Sequence, residues 1–145
     1  MRELRSGVAF RAGLLAVLLL CFLGSCTGNS SRGRLAAANP PAFQIITAET
    51  ARRMMQESGG FVLLDVRTYA EFSREHIPGA LLMPHAEIAR RAPSELPDKG
   101  GMIFVYCQSG VRSANAARTL AGLGYAQVFD FGGIIRWPYE TVRRD

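Results

Sequence analysis

Across residues 43–145, apolar positions fall in short dense runs separated by polar stretches carrying glycine and proline. Residues 61–66 (Phe-Val-Leu-Leu-Asp-Val) and 102–106 (Met-Ile-Phe-Val-Tyr) are apolar on both faces and follow the pairs Gly59-Gly60 and Gly100-Gly101. Runs of this kind predict central strands buried on both sides. Shorter runs at 43–46, 80–83 and 127–131 predict three more strands. The intervening segments predict helices. One follows a Thr47 N-cap and runs to Gln56, and a short one opens on the capping-box pattern Thr68-Tyr69-Ala70-Glu71. Another covers about 87–91, ahead of Pro93 and Pro97, and one over 113–123 stops at Gly124. A last helix is predicted from Ile134, broken by Pro138. Alternating strands and helices predict an α/β fold, a parallel five-stranded sheet with helices on both faces. A site is expected at the carboxyl ends of its strands.

Residues 1–42 do not follow this alternation. Arg2, Arg5 and Arg11 precede an apolar run of about ten residues, 14–23, which is half the ~20 needed to span a bilayer. Basic start, short apolar core and the small residues Gly24-Ser25 before Cys26 predict a signal peptide over 1–25. The segment is similar to a bacterial lipobox, which implies that Cys26 is diacylated and anchors the mature chain to a membrane. Thr27 in the next position implies, by resemblance to bacterial sorting rules, the outer membrane. Residues 26–41, rich in Gly, Ser, Asn, Ala and Pro, are expected to form a flexible tether some 20 Å in reach, ahead of a domain over 42–145. The expected location is the cell envelope, on its periplasmic face; an ordinary secreted protein is the alternative.

Processing changes both charge and cysteine count. Three arginines and one glutamate leave with residues 1–25, so the net charge falls from +5 to +3. That mild excess, with no clustered basic stripe, argues against nucleic acid as a partner. Cys21 departs with the signal peptide and Cys26 is lipid-blocked, leaving Cys107 as the lone thiol. A disulfide framework, a Cys-x-x-Cys redox pair and a cysteine-rich metal site are thereby excluded, and no cofactor is expected.

Cys107 follows the 102–106 strand directly and precedes a helix by a short loop, Gln108-Ser109-Gly110-Val111-Arg112. Unpaired N–H groups and the helix dipole at such a point favour a thiolate and an anion beside it. Gly110 permits a close backbone approach, and Arg112 brings a permanent positive charge. Cys107 is therefore the candidate nucleophile. Gln108, Ser109, Gly110 and Val111 are expected to form an anion nest through their N–H groups. Arg112 is a candidate for the anionic substrate, with pairing to a carboxylate as its alternative. Arg67 points to the same sheet edge as a further candidate; a structural partnership with Glu71 or loop carbonyls is favoured there. Asp65 is expected to accept backbone hydrogen bonds, His76 to be structural, and His85 to lie on the surface.

The spacing Cys-x-x-Gly-x-Arg-Ser after an apolar strand resembles the active-site loop of single-domain rhodaneses, which are sulfurtransferases. Leu63-Leu64-Asp65-Val66-Arg67, Glu71-Phe72 and His76-Ile77-Pro78-Gly79-Ala80 are similar to an upstream signature of that family, and Gly132-Gly133-Ile134 with Trp137 to a C-terminal one. The resemblance implies a rhodanese-like fold and transfer of a sulfane sulfur from a small anionic donor, such as thiosulfate, to a thiophilic acceptor through a Cys107 persulfide. One departure is Glu75, where the family commonly has glycine. A positive φ there would strain a glutamate by about 1 kcal/mol. Two alternatives stand beside this reading. One is a non-catalytic persulfide carrier or sensor. The other is a phosphate or arsenate enzyme of related fold, whose loop would be one residue longer than the six residues from Cys107 to Arg112.

Overall fold

Side chains alternate across a strand, and along the two central runs this alternation sorts the apolar residues into two cores. Ile103, Val105 and Cys107 join Leu64 and Val66 in one core, while Phe104 and Tyr106 join Leu63 in the other. A computed structural model describes residues 43–143. The expected signal peptide, Cys26 and the tether lie outside these residues. In chain order the elements are β1 (Gln44–Ile45), α1 (Ala48–Glu57), β2 (Val62–Asp65), α2 (Tyr69–Arg74), β3 (Glu75–His76), β4 (Leu81–Leu82), α3 (Ile88–Glu95), β5 (Met102–Cys107), α4 (Val111–Gly122), β6 (Gln127–Gly133) and β7 (Val142–Arg143), with 3₁₀ turns at His85–Glu87 and Ile134–Arg136.

Five strands form a sheet in the order β1-β6-β5-β2-β4, every pair parallel. The core of α3 and α4 on one face is built on Ile88, Ala92, Ala116, Ala117 and Leu120. On the other face lie Ala48 and Ala51 of α1 with Phe129, Phe131, Ile134 and Trp137. The fold class expected from the sequence is thus the one observed. Local signals behave as read: the Thr47 hydroxyl accepts the Thr50 N–H at 3.2 Å, and Thr68 and Glu71 form a reciprocal capping box. No helix among the described residues is long and apolar enough to cross a membrane.

Four local expectations need correcting. The helix near 87–91 extends to Glu95 with Pro93 inside it. Burial of Ile88, Ala92 and Leu96, and the Tyr125 hydroxyl held 2.7 Å from the carbonyls of both Ala92 and Leu96, hold the turn that proline would otherwise break. The last helix is a single 3₁₀ turn, Ile134–Arg136. Glu75 is extended, with φ −159°, because β3 pairs antiparallel with β7, so the anticipated strain is absent. Finally, α4 starts at Val111, two residues ahead of the expected Ser113.

Candidate active site

Cys107 is the last residue of β5, and its side chain continues the Ile103–Val105 series onto the face covered by α4. The turn into α4 is made by Gly110, whose φ of 114° is accessible to glycine at little cost. Gly110 is the N-cap of α4 and has no side chain to cap with. The cysteine sulfur takes that place: the Gly110 N–H donates to Sγ at 3.1 Å, and the N–H groups of Ser113 and Ser109 lie near enough to act on its charge. Ser113 is the third helical residue, whose N–H a capping side chain ordinarily receives. The sulfur thus sits where the positive end of the helix dipole and several N–H groups converge.

Two influences oppose each other on this thiol. Burial pushes its pKa up, while the N–H groups of Ser113, Gly110 and Ser109 and the Ser113 hydroxyl pull it down; the hydrogen bonds prevail and the net direction is down. Cys107 is 1% exposed, so its sulfur is almost fully covered. Approach to so covered a sulfur suits a terminal atom and not a branched centre.

The loop is held from below and from both flanks. In β6 the register with β5 shifts by one residue between Val105 and Cys107, and Gly132 sits there with φ 85°. The Asp130 carboxylate accepts the Gly132 N–H at 2.9 Å and fixes this bulge. Gly133 then passes directly beneath the loop: a Cβ on it would collide with the Gln108 carbonyl and lie 2.7 Å from the Ser109 Cα. Gly132 and Gly133 thus bring the β6 backbone close beneath the loop. Ser113 Oγ, 2.9 Å from the Gly110 carbonyl and 3.2 Å from that of Gly132, joins the loop to the bulge.

The two arginine candidates both find carboxylates. Arg67 is buried and pairs with Asp65 at 2.6 Å, while also donating to the Glu75 carbonyl and, at 3.1 Å, to the Gln108 side-chain oxygen. Asp65 accepts the Arg67 N–H at 2.9 Å besides, so the two residues form a closed unit at the end of β2. Arg67 thus supports the second loop residue; of the partners expected, Glu71 or loop carbonyls, it reaches a backbone carbonyl, that of Glu75, and its carboxylate is Asp65 in place of Glu71. Glu71 instead holds Arg112 in a bidentate pair at 2.6 and 2.8 Å. Arg112, the Thr68 N–H and the Thr68 hydroxyl bring the Glu71 carboxyl down to about 2 against burial. Arg112 stays close enough to Cys107 to feel its charge. Val111, between them, has 70% of its surface in solvent, with its N–H at the first turn of α4.

His76 is structural: its Nδ1 lies 2.9 Å from the Phe72 carbonyl, which makes that nitrogen the donor, and its ring stacks on Phe72 at 4.0 Å. His85 is exposed. No group of His, Cys, Asp and Glu able to hold a metal occurs among the described residues. Two residues at the loop were given no role from the sequence. Ser113 lay hidden because the helix was started at it. Arg136 donates to the Ser109 carbonyl at 3.2 Å across 27 residues, and only the neighbouring Gly132-Gly133 signal marked its segment.

Comparisons with known proteins agree with this geometry. A family profile described as Rhodanese-like domain matches residues 47–138. Thiosulfate sulfurtransferase PspE of Escherichia coli is 35% identical over 71 residues, covering 49% of this chain and 68% of that protein. A sulfurtransferase of Allochromatium vinosum is 38% identical over 93 residues, covering 63% of this chain and 85% of that one. Among solved structures, a rhodanese with anions from E. coli superimposes with a TM-score of 0.55 at 30% identity, covering 59% of this chain and all of that one.

Proposed function

The chain belongs to the rhodanese-like domain family, and from that premise we propose that it is a sulfurtransferase that carries a sulfane sulfur as a persulfide on Cys107. The observation that carries this reading is the sulfur's position at the N-terminus of α4, where it accepts the Gly110 N–H at 3.1 Å and has its pKa drawn down by the N–H groups of Ser113 and Ser109 as well. A thiolate so supported needs no general base.

The step balances without added redox partners. The Cys107 thiolate attacks the outer sulfur of an anionic donor, and a new S–S bond forms. The bond between that sulfur and the rest of the donor breaks, its electron pair leaving with the departing group. With thiosulfate the departing group is sulfite, and no proton moves. A thiophilic acceptor, cyanide or a thiolate, then attacks the outer sulfur of the persulfide and returns the cysteine thiolate. The N–H groups of residues 108–111 receive the transferred sulfur and lower the energy of the persulfide anion. A six-residue loop around a nearly covered sulfur suits a single sulfur atom better than a tetrahedral oxyanion. We further propose that residues 1–25 are cleaved, that Cys26 is lipidated, and that the domain works in the cell envelope on the periplasmic face.

Intact-mass analysis of the full chain after incubation with thiosulfate tests the chemistry. One added sulfur atom on Cys107, absent in Cys107→Ser, is expected. Thiocyanate released on adding cyanide, over many turnovers, separates an enzyme from a carrier. No adduct with thiosulfate, polysulfide or glutathione persulfide would refute the proposal.

A further inference from the structure

Three arginines bond to the loop or lie in it, and they differ in what else they hold. Arg67 is paired with Asp65, and Arg112 with Glu71. Their charges are matched by carboxylates already in place, which leaves the pair-wise sum near the sulfur at zero. Arg136 also bonds to the loop, through the Ser109 carbonyl, yet among the described residues it has no carboxylate within ion-pair distance. Its side chain is exposed, so an incoming anion meets it in solvent.

The backbone makes room for this guanidinium. A Cβ on Gly110 would stand 3.6 Å from its Nη2, and so would a Cβ on Gly132. Gly110 is the same residue whose N–H reaches Sγ. The guanidinium therefore lies against the outer side of the residue that helps form the sulfur's ring of donors. The segment carrying it is tied to the loop a second time, by the Ile135 N–H to the Gln108 carbonyl at 3.5 Å. Arg74 offers a contrast. It is exposed and lines a neighbouring cavity with Gln108, but makes no hydrogen bond to the loop.

We propose that Arg136, and not Arg112 or Arg67, is the side chain that recognises the charged end of the sulfur donor, making the site selective for donors with an anionic group beyond the transferable sulfur. The inference rests on the sulfurtransferase reading for its substrate, and on the unmatched charge for its chemistry. During transfer Arg136 forms no covalent bond; it holds the anionic group that departs with the electron pair of the broken S–S bond.

The test uses the full chain with Arg136→Ala, Arg136→Glu and Arg136→Lys, and Arg74→Ala for comparison. Cys107 is alkylated in parallel with iodoacetate, an anion, and iodoacetamide, its neutral analogue, at low and high salt. Arg136→Ala is expected to lower the iodoacetate rate roughly fivefold and Arg136→Glu by tenfold or more, with the iodoacetamide rate unchanged, the difference shrinking at high salt. Arg136→Lys restores most of the iodoacetate rate, and Arg74→Ala moves neither. The KM for thiosulfate rises in the same order with kcat held. An unchanged iodoacetate-to-iodoacetamide ratio overturns the proposal. So does an equal loss with both reagents, which would make Arg136 a support for the loop. Alkylation involves no sulfur transfer, so a wild-type protein that takes up no sulfur refutes the functional reading separately from the charge effect.

Discussion

Replacing Glu71 by glutamine removes the charge that joins α2 to the loop 41 residues further on, while keeping size and some capping capacity. Glu71 accepts two hydrogen bonds from Arg112 and two from Thr68. The fall of its carboxyl from 4.5 to about 2 corresponds to at most about 3 kcal/mol of folding stability. Both side chains are partly wet, 27% exposed for Arg112 and 28% for Glu71, so solvent screening reduces this to about 1–2 kcal/mol. For a domain of this size that is a melting temperature about 5–10 °C lower for Glu71→Gln at pH 7. The pH dependence has a definite sign. A carboxylate whose folded value is depressed stabilises fully above its unfolded value, here near 4.5, and loses the contribution as pH falls through about 2. The gap between wild type and variant should therefore hold from pH 7 to about 5 and be roughly half closed near pH 3. Thermal melts followed by circular dichroism across that range read it directly. A gap below about 2 °C at neutral pH, or one unchanged between pH 6 and pH 3, would refute the reasoning.

Three further outcomes are expected. The alkylation rate of Cys107 should titrate with a midpoint below the ordinary thiol value of 9.0, and a midpoint at or above it would contradict the N–H ring as the dominant influence. Asp65→Leu strands the Arg67 charge in a site only 3% exposed and should cost about 3–5 kcal/mol in urea denaturation. The pair Asp65→Leu with Arg67→Met should recover much of it; equal losses in single and double variants would show that the ion pair is not the cause. In Gly133→Ala the new Cβ meets the Ser109 Cα at 2.7 Å, so the loop must shift. Thiosulfate turnover should fall by up to about a hundredfold, and full activity would show that the loop can yield.

Both central strands, the β6 strand, the Thr47 cap and the Thr68–Glu71 capping box were readable because each depends on neighbours within a few residues. So was the placement of Cys107 at a strand-to-helix turn. What could not be read depends on partners distant in sequence. Pro93 signalled a break, and only the packing of Ile88 and Ala92 with the bonds from Tyr125 explains why the helix continues. Glu75 signalled strain until its pairing with Arg143, at the far end of the domain, made it a strand. The arginines were the hardest. Asp65 and Glu71 are both near Arg67 in sequence, and local spacing alone does not say which it takes. The answer, Asp65, leaves Glu71 for Arg112 and leaves Arg136 uncompensated.

Because the five strands of the main sheet all run one way, the domain has a front and a back. The chain enters through edge strand β1, whose Gln44 lies level with Phe104 of β5, and the thiol lies about 10 Å further forward along β5. The last described strand returns to the front, where Arg143 pairs beside Glu75 and shares a cavity with Gln108. A fusion at the carboxyl end would crowd the mouth of the loop.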